Sequence, residues 1–343
     1  MLRDAIRFSY INAKIRSLKS QLLTESDYEN LIKFGSYKGM VEYLEFTAFK
    51  KSLHDNICSY DDLIEIYHKN LFEAYEGLIN SLSGTIKRLV YHLYQKYELE
   101  NLKLVLRTMC YNRHIDNVNK LFLLHMKYKS FSQKDLLSSK NVHDLIQKLK
   151  GTWYYEPLQN SYYRFEKEGE IFSLEMALDL KYHNQLWDII LSMSGKDRKL
   201  TQGILGVQLD SFNILWFTRF KESYHFSPEE IMNYSLVHGR YITNKVRQKL
   251  AYSINFKDII ANLEHTPYKR ILENIDNPEI AYIQLLKYAL LVTKRNWHTS
   301  PFQVGIILDY IFFKEMEIKD LITLTEAKRT GISPHTIPHY LVN

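Results

Sequence analysis

Glu98-Leu99-Glu100-Asn101-Leu102 returns as Asp210-Ser211-Phe212-Asn213-Ile214 and again as Glu317-Ile318-Lys319-Asp320-Leu321. Each copy is an acid, two intervening residues, Asn or Asp, then Leu or Ile. The first two carry an arginine six residues beyond the amide, at Arg107 and Arg219, and a weaker copy, Ser9-x-x-Asn12, stands near the start. A second marker repeats with constant internal spacing: Leu44-x-x-Thr47-x-Phe49-x-x-x-Leu53, Leu149-x-x-Thr152-x-Tyr154-x-x-x-Leu158 and Leu263-x-x-Thr266-x-Tyr268-x-x-x-Leu272. The threonines lie 105 and 114 residues apart and the Asn/Asp positions 89, 112 and 107 apart, so both markers report one period. Ser26-Asp27, Ser227-Pro228 and Ser333-Pro334, each 13 or 14 residues after its Asn or Asp, form a third link. A period near a hundred residues signals an array of similar units rather than one bespoke pocket. Three units, at 1–95, 96–207 and 208–300, and a trailing half unit at 301–343 that closes the array, fit the length.

With 12 glycines and 7 prolines in 343 residues, the chain has few breakers, and apolar residues recur at intervals of three and four over long spans. That spacing predicts an all-α protein. Segment 62–80, with Leu63, Ile66, Tyr67, Leu71, Ala74, Tyr75 and Leu78 on one stripe, predicts a long amphipathic helix, as do 97–111, 172–193, 210–224, 279–295 and 302–324. Ser26-Asp27-Tyr28-Glu29 resembles a helix cap, and Ser227-Pro228-Glu229-Glu230 adds proline at the first helical position. The acids are missing from Ser333-Pro334-His335-Thr336, which predicts a weaker start there. At the second marker, Thr47, Thr152 and Thr266 are expected to bond local backbone while the aromatic packs inward; an exposed aromatic knob for a partner is the alternative. Asn101, Asn213 and Asp320 read as buried links between helices. Arg107 and Arg219 either pair within the chain or meet a partner.

Catalytic and cofactor chemistry finds no footing. Cys58 and Cys110 are the only cysteines, in no metal-ligand spacing, which suits a reducing compartment. Glu65-x-x-His68 with Glu222-x-x-His225 has the form of a di-metal pair, but the composition produces about one such spacing by chance, and the two histidines occupy non-equivalent places in their repeats. Pro338 interrupts His335-x-x-x-His339, so no metal and no cofactor are expected. Neither a G-x-x-x-x-G-K-S/T loop nor a G-x-G-x-x-G turn occurs, which argues against direct nucleotide binding. The net charge of +6 is spread along the chain rather than gathered into a stripe, so no nucleic-acid partner is expected. The apolar stretch from Val304 to Phe313 carries Asp309 and falls far short of the ~20 residues a spanning helix needs. The opening residues show no signal peptide.

Tyr10-Ile11-Asn12-Ala13-Lys14-Ile15-Arg16, Glu100-Asn101-Leu102-Lys103-Leu104-Val105-Leu106-Arg107, Leu209 to Ile214 with Arg219, and Lys314 to Leu321 together resemble, in order and spacing, the C subunit of prokaryotic V-type (A-type) ATP synthases, equivalent to the d subunit of vacuolar ATPases. The sequence departs from the family pattern in carrying Asp320 where Asn is usual and in lacking an arginine near Ile322. The resemblance implies three similar helical domains around a pseudo-threefold axis, forming a funnel. It also implies a non-catalytic central-stalk rotor part, one copy per complex, peripheral at the cytoplasmic face of the membrane. Such a part couples a central shaft, made by the D and F subunits, to the membrane proteolipid ring for proton or sodium transport. Interface or structural roles then fall to Asn12, Arg16, Asn101, Arg107, Asn213, Arg219, Glu317 and Asp320, with Arg16, Arg107 and Arg219 as contacts near the axis. The alternative is an all-α repeat scaffold for an unrelated soluble partner.

Overall fold

The computed structural model describes residues 2–53, 59–111, 126–297 and 303–343, and among them every regular element is helical. In chain order these are α1 (Leu2–Lys19), α2 (Glu25–Lys33), α3 (Tyr37–Leu44), a 3-10 turn (Ala48–Lys51), α4 (Tyr60–Ser81), α5 (Gly84–Cys110), α6 (Gln133–Leu137), α7 (Val142–Lys148), α8 (Tyr155–Glu168), α9 (Phe172–Ser192), α10 (Gly195–Glu222), α11 (Pro228–Tyr234), α12 (Asn244–Ala251), α13 (Phe256–Ala261), α14 (Pro267–Leu272), α15 (Pro278–Trp297), α16 (Gly305–Thr330) and a second 3-10 turn (Ile337–Tyr340). The six long stripes of the sequence are α4, α5, α9, α10, α15 and α16. By contact the chain forms two units, Phe72–Ile189 and Met1–Leu71 joined with Ile190–Asn343. Positions 95/96 and 207/208 fall inside α5 and α10, and 300/301 lies outside the described residues, as does Cys58. A motif repeated within helices marks the register of the repeat, and the chain breaks lie elsewhere.

The breaks follow one rhythm, in which three short helical pieces precede two long helices. The short pieces start at Thr24, Ser36 and Thr47, at Ser132, Asn141 and Tyr154, and at Thr243, Asn255 and Thr266; all but Tyr154, which follows the Thr152 turn, are small polar residues suited to capping. Between the long helices, Ser83-Gly84 and Ser194-Gly195 place a glycine at φ 60° and 56°, a region that residues with a Cβ avoid. This Ser-x-Ser-Gly signature, at Ser81 to Gly84 and Ser192 to Gly195, is a further repeat beside the three read from the sequence.

The third sequence link dissolves here. Thr24, not Ser26, caps α2, with Asp27 closing the capping box, and Ser26 lies within the helix. Ser227 does cap a helix, boxed by Glu230 with Pro228 at N1, but that helix is α11, which the other two sets of short pieces lack. Ser333 begins a turn, and only the 3-10 piece follows it. A Ser followed by acids scores as a cap wherever it occurs, so local chemistry alone cannot align repeats.

In the unit Phe72–Ile189, Leu99, Leu102 and Leu106 of α5 meet Leu145 and Ile146 of α7, Leu158 of α8 and Leu174 and Leu178 of α9 in one apolar core. Each such fully buried side chain contributes about 2 kcal/mol relative to exposure. In the other unit, α15 packs against both α10 and α16, while α16 also contacts α1, α3 and the second 3-10 turn.

Candidate functional site

The second marker is a turn of constant geometry. The Thr47, Thr152 and Thr266 hydroxyls each donate to the carbonyl three residues back, of Leu44, Leu149 and Leu263, at 2.7, 2.7 and 2.8 Å. Their backbone N–H groups reach the same carbonyls at 3.0, 3.0 and 2.9 Å. The turn sends Phe49, Tyr154 and Tyr268 into the interior, where all three are buried. Local backbone bonding with the aromatic inward is therefore the observed arrangement, and the exposed-knob alternative is excluded.

What each tyrosine meets is the acid of the first marker. Tyr154 Oη donates to Glu98 Oε2 at 2.7 Å, and Tyr268 Oη to Asp210 Oδ2 at 2.8 Å. The same carboxylates hold the loop ahead of the first short helix. Glu98 accepts from the Ser130 hydroxyl at 2.7 Å and from the Ser130 backbone N–H. Asp210 accepts from the N–H groups of Arg240, Tyr241 and Ile242 at 3.1, 2.7 and 3.2 Å. A buried carboxylate bonded by several fixed donors ties two segments of chain to one point on a long helix. Charge-assisted bonds of this kind are each worth about 1.5–3 kcal/mol.

The third clamp is assembled from distant parts of the chain. Glu317 of α16 accepts from the Leu23 N–H at 2.7 Å, just ahead of Thr24, and Phe49 stands at the aromatic position of the second marker. Phenylalanine has no hydroxyl, and Lys314 takes its place: its ammonium pairs with Glu317 and sits 4.6 Å above the centre of the Phe49 ring. The set of short pieces at 24–51 thus docks on the last long helix, just as those at 132–154 dock on α5 and those at 243–268 on α10.

Three residues beyond the acid, the Asn/Asp position secures a further segment. Asn213 uses both faces of its amide, accepting from the Leu236 N–H at 2.8 Å and donating to the Leu236 carbonyl at 2.9 Å. Asp320 can only accept, and it receives two successive N–H groups, Val342 at 2.8 Å and Asn343 at 2.9 Å, plus the Asn343 side chain. Aspartate at this place matches two donors as asparagine there matches a donor and an acceptor. Asn101 is likewise buried.

The arginines diverge. Arg107 pairs with Glu175 of α9, Nε to Oε1 at 2.5 Å, while Arg219 is exposed and, among the described residues, meets the Tyr224 ring and hydroxyl. Near the start, Arg16 Nε donates to Asn12 Oδ1 at 3.1 Å on the exposed face of α1. The eight residues singled out from the sequence therefore do not form one site. Glu317 and Asp320 lie in one clamp, Asn101 and Asn213 lie beside the other two, and the arginines stand apart. Glu98 and Asp210, the clamping acids themselves, were missed although both open a quoted motif. Their signal was present, since Tyr occupies the aromatic position of the second marker in just the copies whose acid has no lysine three residues before it.

Burial pushes Asp210 up to about 6, against the pull of the Tyr241, Ile242 and Arg240 N–H groups and the Tyr268 hydroxyl. Burial also raises Glu98 and Asp320 above the usual carboxylate range. Tyr154 and Tyr268 are held well above an ordinary phenol, first by burial and then by the adjacent carboxylate charge, so they stay protonated as donors. As for metal chemistry, His225 is exposed with Nδ1 on the Lys221 carbonyl, and burial lowers His68 to about 4. Among the described residues no group of three or more His, Cys, Asp or Glu side chains is placed to hold a metal. Nor is any described helix long and apolar enough to cross a membrane.

A helical repeat body that spends its buried charge on fastening its own loops belongs to the class of structural, interaction-bearing proteins. The profile of the ATP synthase (C/AC39) subunit family matches residues 11–340, and the chain belongs to that family. It is similar to the A-type ATP synthase C subunit of Methanosarcina mazei, with 26% identity over 99% of this chain and 94% of the relative. The A-type ATP synthase C subunit of Methanocaldococcus jannaschii is 24% identical over 100% of this chain and 88% of the relative, and that of Pyrococcus abyssi 24% identical over 96% and 89%. The chain is an accessory subunit of an A/V-type ATPase complex, and its place in ATP synthesis and ion transport is that of a part, not of the catalyst.

Proposed function

We propose that this protein is the rotor adaptor of its complex, present once, joining the central shaft of the D and F subunits to the membrane proteolipid ring at the cytoplasmic face. The observation that carries this reading is the end-to-end family match, which runs through all three clamps. The physical character of the chain supports it. A part that passes torque must resist shear between its pieces, and each set of short helical pieces is fastened to a long helix by a buried carboxylate instead of by apolar contact alone. The work needs two protein interfaces of on the order of 800 Å² each and no chemistry. We also propose the unit division 1–95, 96–207 and 208–300 with 301–343 closing the array, as the register in which the clamps recur.

Mild-detergent extraction of native membranes with an affinity tag on this chain, followed by mass spectrometry, tests the reading. Recovery of the proteolipid ring together with D and F supports the adaptor. Recovery of unrelated soluble proteins instead would establish the scaffold alternative and end this proposal.

A further inference from the structure

Three equivalent positions lie six residues beyond Asn101, Asn213 and Asp320: Arg107, Arg219 and Glu326. Two are neutralised within the chain, Arg107 by Glu175 and Glu326 by Arg329, both at 2.5 Å. Arg219 has no acidic partner among the described residues, although it is held in place. Tyr224 accepts from its Nη2 at 3.2 Å and lies 5.5 Å beneath the guanidinium, and Tyr224 is itself stacked on Phe226, with ring centres 5.2 Å apart at 29°. Phe226 packs on Phe220, which belongs to the core.

The turn that builds this platform is strained. His225, between the two stacked rings, has φ 52°, the one positive value at a non-glycine position among the described residues. It lets the Phe226 N–H return to the Phe220 carbonyl at 3.1 Å, closing the turn against the end of α10. Strain of this sort costs energy, and a structure keeps it where the resulting geometry is used. An arginine stacked on an aromatic face has surrendered most of its rotamer freedom before any ligand arrives, so binding loses less entropy.

We infer that Arg219, presented on the Tyr224–Phe226 stack, is a preorganised receptor for a carboxylate side chain of a partner protein in the complex. Tyr224 takes one of the two Nη2 hydrogens, and the other remains to form, with the neighbouring Nε or Nη1, a planar two-donor edge for a carboxylate. A phosphate-bearing lipid surface fits less well. Such surfaces are recognised by clusters of about four to eight basic residues, whereas exposed Glu222 and Glu229 stand in the same segment as this single arginine. Tyr224 is then a positioning residue. The inference rests on the rotor reading for the identity of the partner, but not for the chemistry of the contact.

The test compares tagged wild type, Arg219→Gln, Arg219→Lys and Tyr224→Ala in membrane extracts, with the shaft and ring proteins retained after stepwise salt washes quantified by mass spectrometry. Arg219→Gln is expected to lower retention of a partner about tenfold, with Arg219→Lys intermediate because an ammonium cannot offer a fork, and Tyr224→Ala close to Arg219→Gln. Arg107→Gln serves as the contrast, lowering the melting temperature with retention unchanged. Melting of Arg219→Gln at the wild-type temperature shows that folding is not the cause. Equal retention by wild type and Arg219→Gln overturns the inference, as does Arg219-dependent sedimentation of the purified protein with phosphatidylserine vesicles. If wild type retains only an unrelated soluble protein and Arg219→Gln loses it, the receptor stands while the rotor reading falls. If wild type retains nothing, both fall.

Discussion

Phe49 is the residue that reveals how the clamps work, because it differs from Tyr154 and Tyr268 by one oxygen and a lysine has taken over. Removing a hydroxyl from the other two should weaken them: Tyr268→Phe is expected to cost about 1.5–3 kcal/mol in urea unfolding, as a charge-assisted bond lost from a buried acceptor. Asp210→Asn should cost more, since an amide has one acceptor oxygen and would turn an NH2 toward the donors now held. At the third clamp, Lys314→Met should destabilise wild type strongly but Phe49→Tyr less so, and the double-mutant cycle should show a coupling of about 1 kcal/mol or more. Additive costs would mean that lysine and hydroxyl are not interchangeable there. His68 supplies a pH signature. Burial lowers it to about 4, so between its ordinary value near 6.5 and pH 4 the unfolded chain binds the proton and the folded one does not. The His68 contribution to stability should therefore fall as pH drops through that window, opposite in sign to that of Asp210, and His68→Gln should remove that part of the slope.

At the scale of elements, the sequence already contained the helices. Six apolar stripes at three and four residue spacing became six long helices, because a helix that buries one face must repeat its apolar residues at that period whatever it packs against. Their starts were less legible. α5 and α10 begin 13 and 15 residues ahead of the predicted 97 and 210, at glycines whose left-handed conformation depends on the preceding turn. Caps were legible by chemistry but not by position, as Ser26 shows. Thr24→Ala should cost about 1 kcal/mol by loss of the bonded box with Asp27, whereas Ser26→Ala, on an exposed helical face, should stay within about 0.5 kcal/mol of wild type. Equal effects in thermal unfolding would return the cap to Ser26.

At the scale of the molecule, α16 joins the two extremes of the sequence. Glu317 holds Leu23, Asp320 holds Val342 and Asn343, and the Asn343 amide reaches the Tyr28 hydroxyl at 3.5 Å. Lys328 of the same helix bonds the Ile32 carbonyl, and Lys19 of α1 pairs with buried Asp309 at 2.6 Å. A chain ending at Leu341 should thus lose about 3 kcal/mol or more, since it leaves the Asp320 carboxylate buried without its donors. Asp320→Leu in the shortened chain should recover part of that loss in a denaturant series. Failure to recover any would place the cost in the missing side chains rather than in the orphaned charge.

The all-helical class, the period, the turn at each threonine and the family were legible before any packing was known, because those depend on residue spacing along one chain and on local backbone chemistry. Packing alone revealed that the two markers are halves of one device, that Glu98 and Asp210 are its fixed points, that Lys314 replaces a missing hydroxyl, and that Arg107 meets an acid whereas Arg219, among the described residues, meets Tyr224. The physical reason is distance along the chain. Tyr154 lies 56 residues from Glu98 and Leu23 lies 294 from Glu317. A hydrogen bond between residues so far apart leaves no mark on local propensity and exists only once packing has brought its donor to its acceptor.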